Sequence, residues 1–206
     1  MSRYLLASCK ICRRNREKLF LKGARCFSAK CAIEKRNYPP GHKSVVARKM
    51  SEYGRRLREK QKLRFFYGVS EIQMRNYFSR ARSQKGMTGH NLLCLFERRL
   101  DNVLYRAHLA SSRKEARQLI RHGHFELNGK SVDVPSISVS EGQVITVRSG
   151  HIEFVKERFK QLKDKTLPTW IRFNESDLSL QILHIPNREE IDVPVQEQLI
   201  VEFYSM

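Results

Sequence analysis

Acidic side chains are scarce in this chain: 21 Asp and Glu stand against 40 Lys and Arg in 206 residues, leaving a formal charge of +19. That imbalance, with a pI near 10.1, makes a polyanion the expected partner. Long apolar runs are lacking too. None approaches the roughly 20 residues of a bilayer-spanning helix, and the Met-Ser-Arg-Tyr start lacks the apolar stretch of a secretory signal. Nucleic acid is therefore expected rather than a membrane, in a cytosolic chain. Neither a Ser-His-Asp pattern nor a phosphate-binding glycine pattern occurs, and the expectation is a protein that is not an enzyme.

What is present is unevenly placed. Residues 1–90 carry 24 basic and 5 acidic side chains, whereas residues 91–206 carry 16 of each. Within the second part, 91–160 is mildly basic and 161–206 acidic, so the last segment is not expected to face phosphate. The 40% apolar content supplies a core for part of the chain at least, and the length allows one large or two small domains.

Four of the five cysteines fall in CKICRRNREKLFLKGARCFSAKC, residues 9–31. Their C-x2-C-x13-C-x4-C spacing sets two close pairs around a loop, which suits one tetrahedral cation. In a reducing cytosol a metal is preferred to disulfides. The expected ligands are Cys9, Cys12, Cys26 and Cys31, with zinc as the first choice and an iron–sulfur cluster left open. Arg13, Arg14, Lys22, Arg25, Lys30 and Arg36, in and beside this loop, are candidate phosphate contacts. NYPPGHKS, residues 37–44, reads as a linker; Lys43, Arg48 and Lys49 around its end join the candidates.

SEYGRRLREKQKLRFFYGV predicts a helix with Ser51 as N-cap and Gly68 as its end, with Leu57 and Leu63 on one side. Arg55, Arg56, Arg58, Lys60, Lys62 and Arg64 lie elsewhere on it, with only Glu59 among them. Such crowding calls for an external counter-charge, so all six are read as RNA-facing. A second helix opens at Ser70, with Ile72, Met74, Tyr77 and Phe78 apolar and Arg75, Arg80, Arg82 and Lys85 exposed, Arg75 being a candidate contact. From Asn91, LLCLFERRLDNVLYRAHLA predicts one amphipathic helix, in which Cys94 is an ordinary core cysteine. Its Arg99-Leu100-Asp101 triplet resembles the catalytic Asp motif of pseudouridine synthases. The preferred reading is a helix-surface Asp, because no catalytic domain's worth of chain follows.

In SSRKEARQLIRHGHFELNGKSVDVP, Ser112 and Glu115 fit a capping box, Ala116, Leu119 and Ile120 a buried stripe, and Gly123 a stop. Arg113, Arg117 and Arg121 recur every four residues as a basic ridge opposite that stripe. Ser112, His122, His124 and Lys130 complete the candidate contacts of this unit. Asn128-Gly129 predicts a tight hairpin, and Val144, Ile145 and Val147 another strand. Residues 152–163 suit a helix; WIRF, LSLQILHI and the final LIVEFY suit strands or buried extended segments.

RLDNVLYRAHLASSRKEARQLIRHGHFELNGKSVDVPS, residues 99–136, resembles the RNA-binding module that takes its name from small-subunit ribosomal protein four. The cysteine knuckle, LREKQKLRFFYG at 57–68 and QLIVEFYS at 198–205 extend the resemblance to that family, bacterial type, essentially end to end. Only some of its members keep all four cysteines, and the family usually has Pro-Pro-Gly-Gln-His-Gly where this chain has PPGHKS. The resemblance implies a structural constituent of the small subunit that binds the 5′ domain of its ribosomal RNA and nucleates assembly there. It also implies contact with ribosomal protein five, linked to decoding accuracy, and a place beside ribosomal protein three near the messenger RNA entry channel. Location in the cytoplasm, in the ribosome, follows, and in some bacteria the protein represses its own operon. A free-standing RNA-binding stress or regulatory factor is the rival; it would lack the metal arm and long basic helices.

The expected fold class is α+β. Residues 1–45 form a four-cysteine metal-binding basic arm, 46–90 a basic helical domain, and 91–160 an RNA-binding module of two helices plus antiparallel sheet. Residues 161–206 form an extended or strand segment packing back on the body. Recognition is expected to be by RNA shape, since most aromatics sit at core-like spacings.

Overall fold

The computed structural model describes residues 4, 6–41, 50–160, 166–174 and 176–206. Their helices are α1 (Ser8–Asn15), α2 (Ala32–Lys35), α3 (Glu52–Tyr67), α4 (Glu71–Ser83), α5 (Thr88–Glu97), α6 (Leu100–Arg106), α7 (Arg113–Arg121), α8 (Ile152–Lys160) and α9 (Glu197–Ser205). The strands are β1 (Phe125–Leu127), β2 (Lys130–Ser131), β3 (Val144–Val147), β4 (Ile171–Asn174) and β5 (Ser179–Ile182). The chain divides into two compact units, Met1–Leu92 with Val193–Met206, and Leu93–Asp192.

The first unit is helical. Ser51 Oγ accepts the Gly54 N–H at 3.2 Å and opens α3. Gly68, at φ 61°, closes it in the left-handed conformation that a glycine adopts without a Cβ clash. Ser70 and Gln73 exchange the two hydrogen bonds of a capping box at the start of α4. Leu63, Met74, Leu92 and Ile200 are fully buried, and the Phe78 and Tyr204 rings stack with centroids 4.6 Å apart. Here the structure corrects the sequence reading: LIVEFY is part of helix α9 rather than a strand. Its residues favour strands by type, yet Ile200, Phe203 and Tyr204 recur at helical spacing, and packing on α3 decides the outcome.

Glu71 gathers the cations of that packing. It accepts from Lys60 Nζ at 2.6 Å, Arg64 Nη1 at 3.3 Å and the Tyr204 hydroxyl at 3.3 Å. Burial alone would raise its carboxyl, but the Lys60 bond and charge, with Arg64 and Tyr204, outweigh this and hold it below the ordinary 4.5. A depressed folded-state value gives stability that is fully present above about pH 4.5 and is lost as pH falls from there through the lower folded-state value. Glu71→Gln is expected to flatten this acid limb, which denaturant midpoints measured from pH 6 down to about pH 3 would show.

The second unit builds an antiparallel sheet in the order β2-β1-β3-β5-β4 and packs it with α6 and α7. Its core includes Leu104, Ala116, Ile120, Phe125, Ile145, Trp170 and Leu180, none more than 1% exposed. Asn128 and Gly129 both have positive φ, 50° and 74°, the primed turn that their residue types predict. The single helix expected from Asn91 is two, α5 and α6. Between them the backbone turns to other partners: Val139 N–H donates to Arg98 O at 2.8 Å, Leu100 N–H to Ile137 O at 2.9 Å and Asp101 N–H to Pro135 O at 3.1 Å. The predicted 152–163 helix is described as α8, and residues 161–163 lie outside the described residues.

Candidate nucleic-acid interface

Cations of the first unit separate into two groups. Arg14, Lys22, Arg25, Lys30, Arg36, Arg55, Arg58 and Arg75 are exposed. Others are spent inside the fold: Lys60 on Glu71, Lys62 on Glu17 at 2.8 Å and Glu59 at 3.3 Å, and Arg56 on Glu202 at 2.8 Å. Arg64 is half-buried over the Phe65 ring at 4.6 Å. Arg13 ties a loop, donating from Nε to Tyr38 O at 3.0 Å and from Nη2 to Pro39 O at 3.3 Å. The reading that all six α3 cations need an outside counter-charge is thus corrected, since acids distant in sequence neutralise half of them or more. Arg80, Arg82 and Lys85 are exposed on and after α4, as the sequence predicts, whereas Ile72, expected among the apolar residues of that helix, is 73% exposed. Lys43, Arg48 and Lys49 lie outside the described residues.

In the cysteine segment, Cys12 and Cys31 are buried and Cys9 and Cys26 half-buried. Burial pushes the Cys12 thiol up; a Leu19 N–H bond opposes this, and the nearby Cys26, Cys9 and Cys31 add to it. Cys26 is raised in the same way, with the Lys22 N–H donating to its Sγ at 3.3 Å. The donors therefore have the number and softness that a tetrahedral ion takes. Their arrangement is more open than such a site: among the described residues no three His, Cys, Asp or Glu side chains are grouped so as to hold a metal ion. Beside them Phe27, 61% exposed, stacks on Phe20 at 5.0 Å, an exposed aromatic that core-like spacing did not lead us to expect. Cys94, expected in the core, is half-buried at its edge; it donates to Pro186 O at 3.0 Å and burial raises its thiol.

The arginine ridge of α7 is not one exposed row. Arg113 and Arg117 are 7% and 6% exposed, and only Arg121 faces solvent. Arg117 Nε donates to Asp101 Oδ2 at 2.5 Å, and Arg99 grips both oxygens of that carboxylate at 3.0 and 2.9 Å. Arg113 Nε donates to Asn102 Oδ1 at 2.7 Å, with its guanidinium 4.4 Å from the Tyr105 ring. Asn102 in turn donates to Glu97, whose carboxylate takes a two-pronged bond from Arg106 at 3.0 and 2.9 Å. Asp101 is thus a buried counter-ion, not the helix-surface residue expected. Ser112 caps α7 by accepting the Glu115 N–H at 3.3 Å, but Glu115 bonds Ser111 rather than closing the box.

At the end of α7, Arg121 and His122 are exposed and His124 is half-buried. The β1–β3 register, Phe125 opposite Val147, brings Arg148 and His151 to His124, and the His124 and His151 rings lie 4.0 Å apart. Burial first, then the two neighbouring histidines, push His124 below its ordinary value. Lys130 projects from the hairpin. Arg148 and His151 were not singled out in the sequence, because only strand pairing places them here.

Exposed cations on a helical unit and on a small mixed unit are the arrangement of a nucleic-acid-binding protein. Residues 3–97 match the ribosomal protein S4/S9 N-terminal domain and residues 98–145 the S4 domain. Small ribosomal subunit proteins uS4 of Thermodesulfovibrio yellowstonii and Pelotomaculum thermopropionicum are each 50% identical over 207 residues, and that of Clostridioides difficile is 50% identical over 206. All three alignments cover the whole of both chains. The chain belongs to the uS4 family.

Proposed function

We propose that the protein is a structural, non-catalytic constituent of the small ribosomal subunit in the cytoplasm, where it binds the 5′ domain of the ribosomal RNA and nucleates its assembly. Contact with ribosomal protein five, and a place beside ribosomal protein three and the messenger RNA path, belong to the same reading. The full-length likeness to uS4 proteins carries it; the concentration of exposed cations in the first unit supports it. Among the described residues no helix is long and apolar enough to cross a membrane.

Phosphate neutralisation releases counterions, so each lost contact reduces the dependence of log affinity on log salt by about 0.7–0.9. Replacing Arg14, Lys22, Arg25 and Lys30 together by Gln is expected to weaken binding to small-subunit RNA and to flatten that slope. An unchanged slope would remove this segment from the interface. We assign RNA contacts of the second unit to Arg121, His122 and Lys130 at its surface, with Arg113 and Arg117 acting from within.

Cys9, Cys12, Cys26 and Cys31 are proposed to hold one zinc ion, which would fix a segment with few core residues. Elemental analysis of protein purified without chelator should find about one zinc per chain. Zinc and iron both absent from folded protein with four titratable thiols would refute it.

A further inference from the structure

A cavity of about 540 Å³ lies between α1, the Pro40 turn and α3 in the first unit, within the roughly 300–1,000 Å³ range of small-molecule sites. It is built rather than incidental. Arg13 anchors the backbone carbonyls of Tyr38 and Pro39 and so sets Pro40 as one wall. Tyr4 and Phe65 form another, their rings edge to face at 5.5 Å. Ile11 and Leu57 add apolar surface, while Lys10, Arg14 and Arg58 supply positive charge; the last three are exposed as well as lining the cavity.

Two lining residues carry unsatisfied atoms. Gln61 Oε1 and Arg64 Nε are buried with no hydrogen-bond partner. They lie three residues apart on α3, hence on one face. Native proteins seldom leave such groups unmade, and one acceptor beside one donor is the complement of a nucleobase edge. An apolar ligand would leave both orphaned, and an acidic peptide would use the cations but neither the aromatic wall nor the donor–acceptor pair.

The geometry points to this cavity as a receptor for a single nucleotide, its base lodged against Tyr4 and Phe65 and read by Gln61 and Arg64, its phosphate held by Lys10, Arg14 and Arg58. The nucleotide comes from the bound RNA, extruded from its helix, or from the free pool; only the first source rests on the RNA-binding role proposed above. Extrusion costs unstacking, which an aromatic wall and a satisfied base edge offset.

The test uses the full chain and Gln61→Met, which keeps side-chain length and removes the amide. Base-edge chemical probing of small-subunit RNA should show one base protected by the parent protein and reactive with the variant. Affinity should fall roughly tenfold with the salt slope unchanged, as expected for a lost base contact rather than a lost phosphate. Thermal stability should be equal or higher, and Phe65→Leu should give the same local footprint change. Titration with AMP, GMP, CMP and UMP, followed through the Tyr4 and Phe65 ring resonances, covers the free source; a shift abolished by Gln61→Met supports it. Identical footprints together with no monophosphate response would overturn the proposal. If the parent chain bound no small-subunit RNA, the proposed function would fall, and the monophosphate titration alone would decide the cavity.

Discussion

Asp101→Asn is expected to lower the unfolding free energy by about 3–5 kcal/mol, the usual cost of leaving buried charges without their counter-ion. Arg99 and Arg117 are 2% and 6% exposed and converge on this one carboxylate, itself 1% exposed. Removing its charge leaves two almost fully buried guanidinium groups without that counter-ion. Arg117→Gln should also destabilise, since it breaks the same cluster, whereas Arg121→Gln at the surface should shift stability by less than about 0.5 kcal/mol. Trp170, buried in the same unit, reports the transition by fluorescence in a denaturant titration. A loss below about 1 kcal/mol for Asp101→Asn would mean that the cluster behaves like a surface ion pair. Weakened RNA binding by an Arg117 variant must accordingly be measured at a temperature where the variant is folded.

Ending the chain after Gln196 is expected to unfold the first unit locally, at a cost on the order of 5 kcal/mol. Ile200 alone, fully buried, contributes about 2–5 kcal/mol by comparison with Ala. Loss of the Phe78–Tyr204 stack adds about 0.5–1.5 kcal/mol, and Lys60 loses the Phe203 ring 5.0 Å away. Gly89 shows how close the fit is: a Cβ there would come within 2.8 Å of Glu197 Cγ. Hydrogen exchange should report the difference, with amides of α3 losing protection in the shortened chain. Unchanged protection in α3 would show that α9 is only laid on the surface.

Local chemistry was the legible part of the sequence. Ser51, Ser70, Gly68 and Asn128-Gly129 each announce a cap or turn through a hydrogen bond or backbone conformation that neighbouring residues alone decide. The break at Arg98–Arg99 was hidden, because the apolar spacing continues across it while its cause is backbone pairing with residues 135–139. Arg113 and Arg117 were misplaced for a related reason. A helix projection sets them opposite Ala116 and Ile120, but cannot show that α6 brings Asp101 and Asn102 over that second face. At the cysteines, spacing indicated a shared neighbourhood, and the closing of four sulfurs on one ion is not encoded in spacing. The family likeness was carried by extended motifs such as residues 99–136, which explains why it survived these local errors.

The first unit is interrupted, its helices α3 and α4 preceding residue 92 and its covering helix α9 following residue 193. During synthesis at about 5–20 residues per second, the earlier helices wait on the order of ten seconds for their last partner. Throughout that interval Phe78 lacks the ring that stacks on it, and a strongly cationic nascent segment stands ready for any polyanion nearby. The order of manufacture therefore leaves the most basic part of the chain uncovered until α9 has been made.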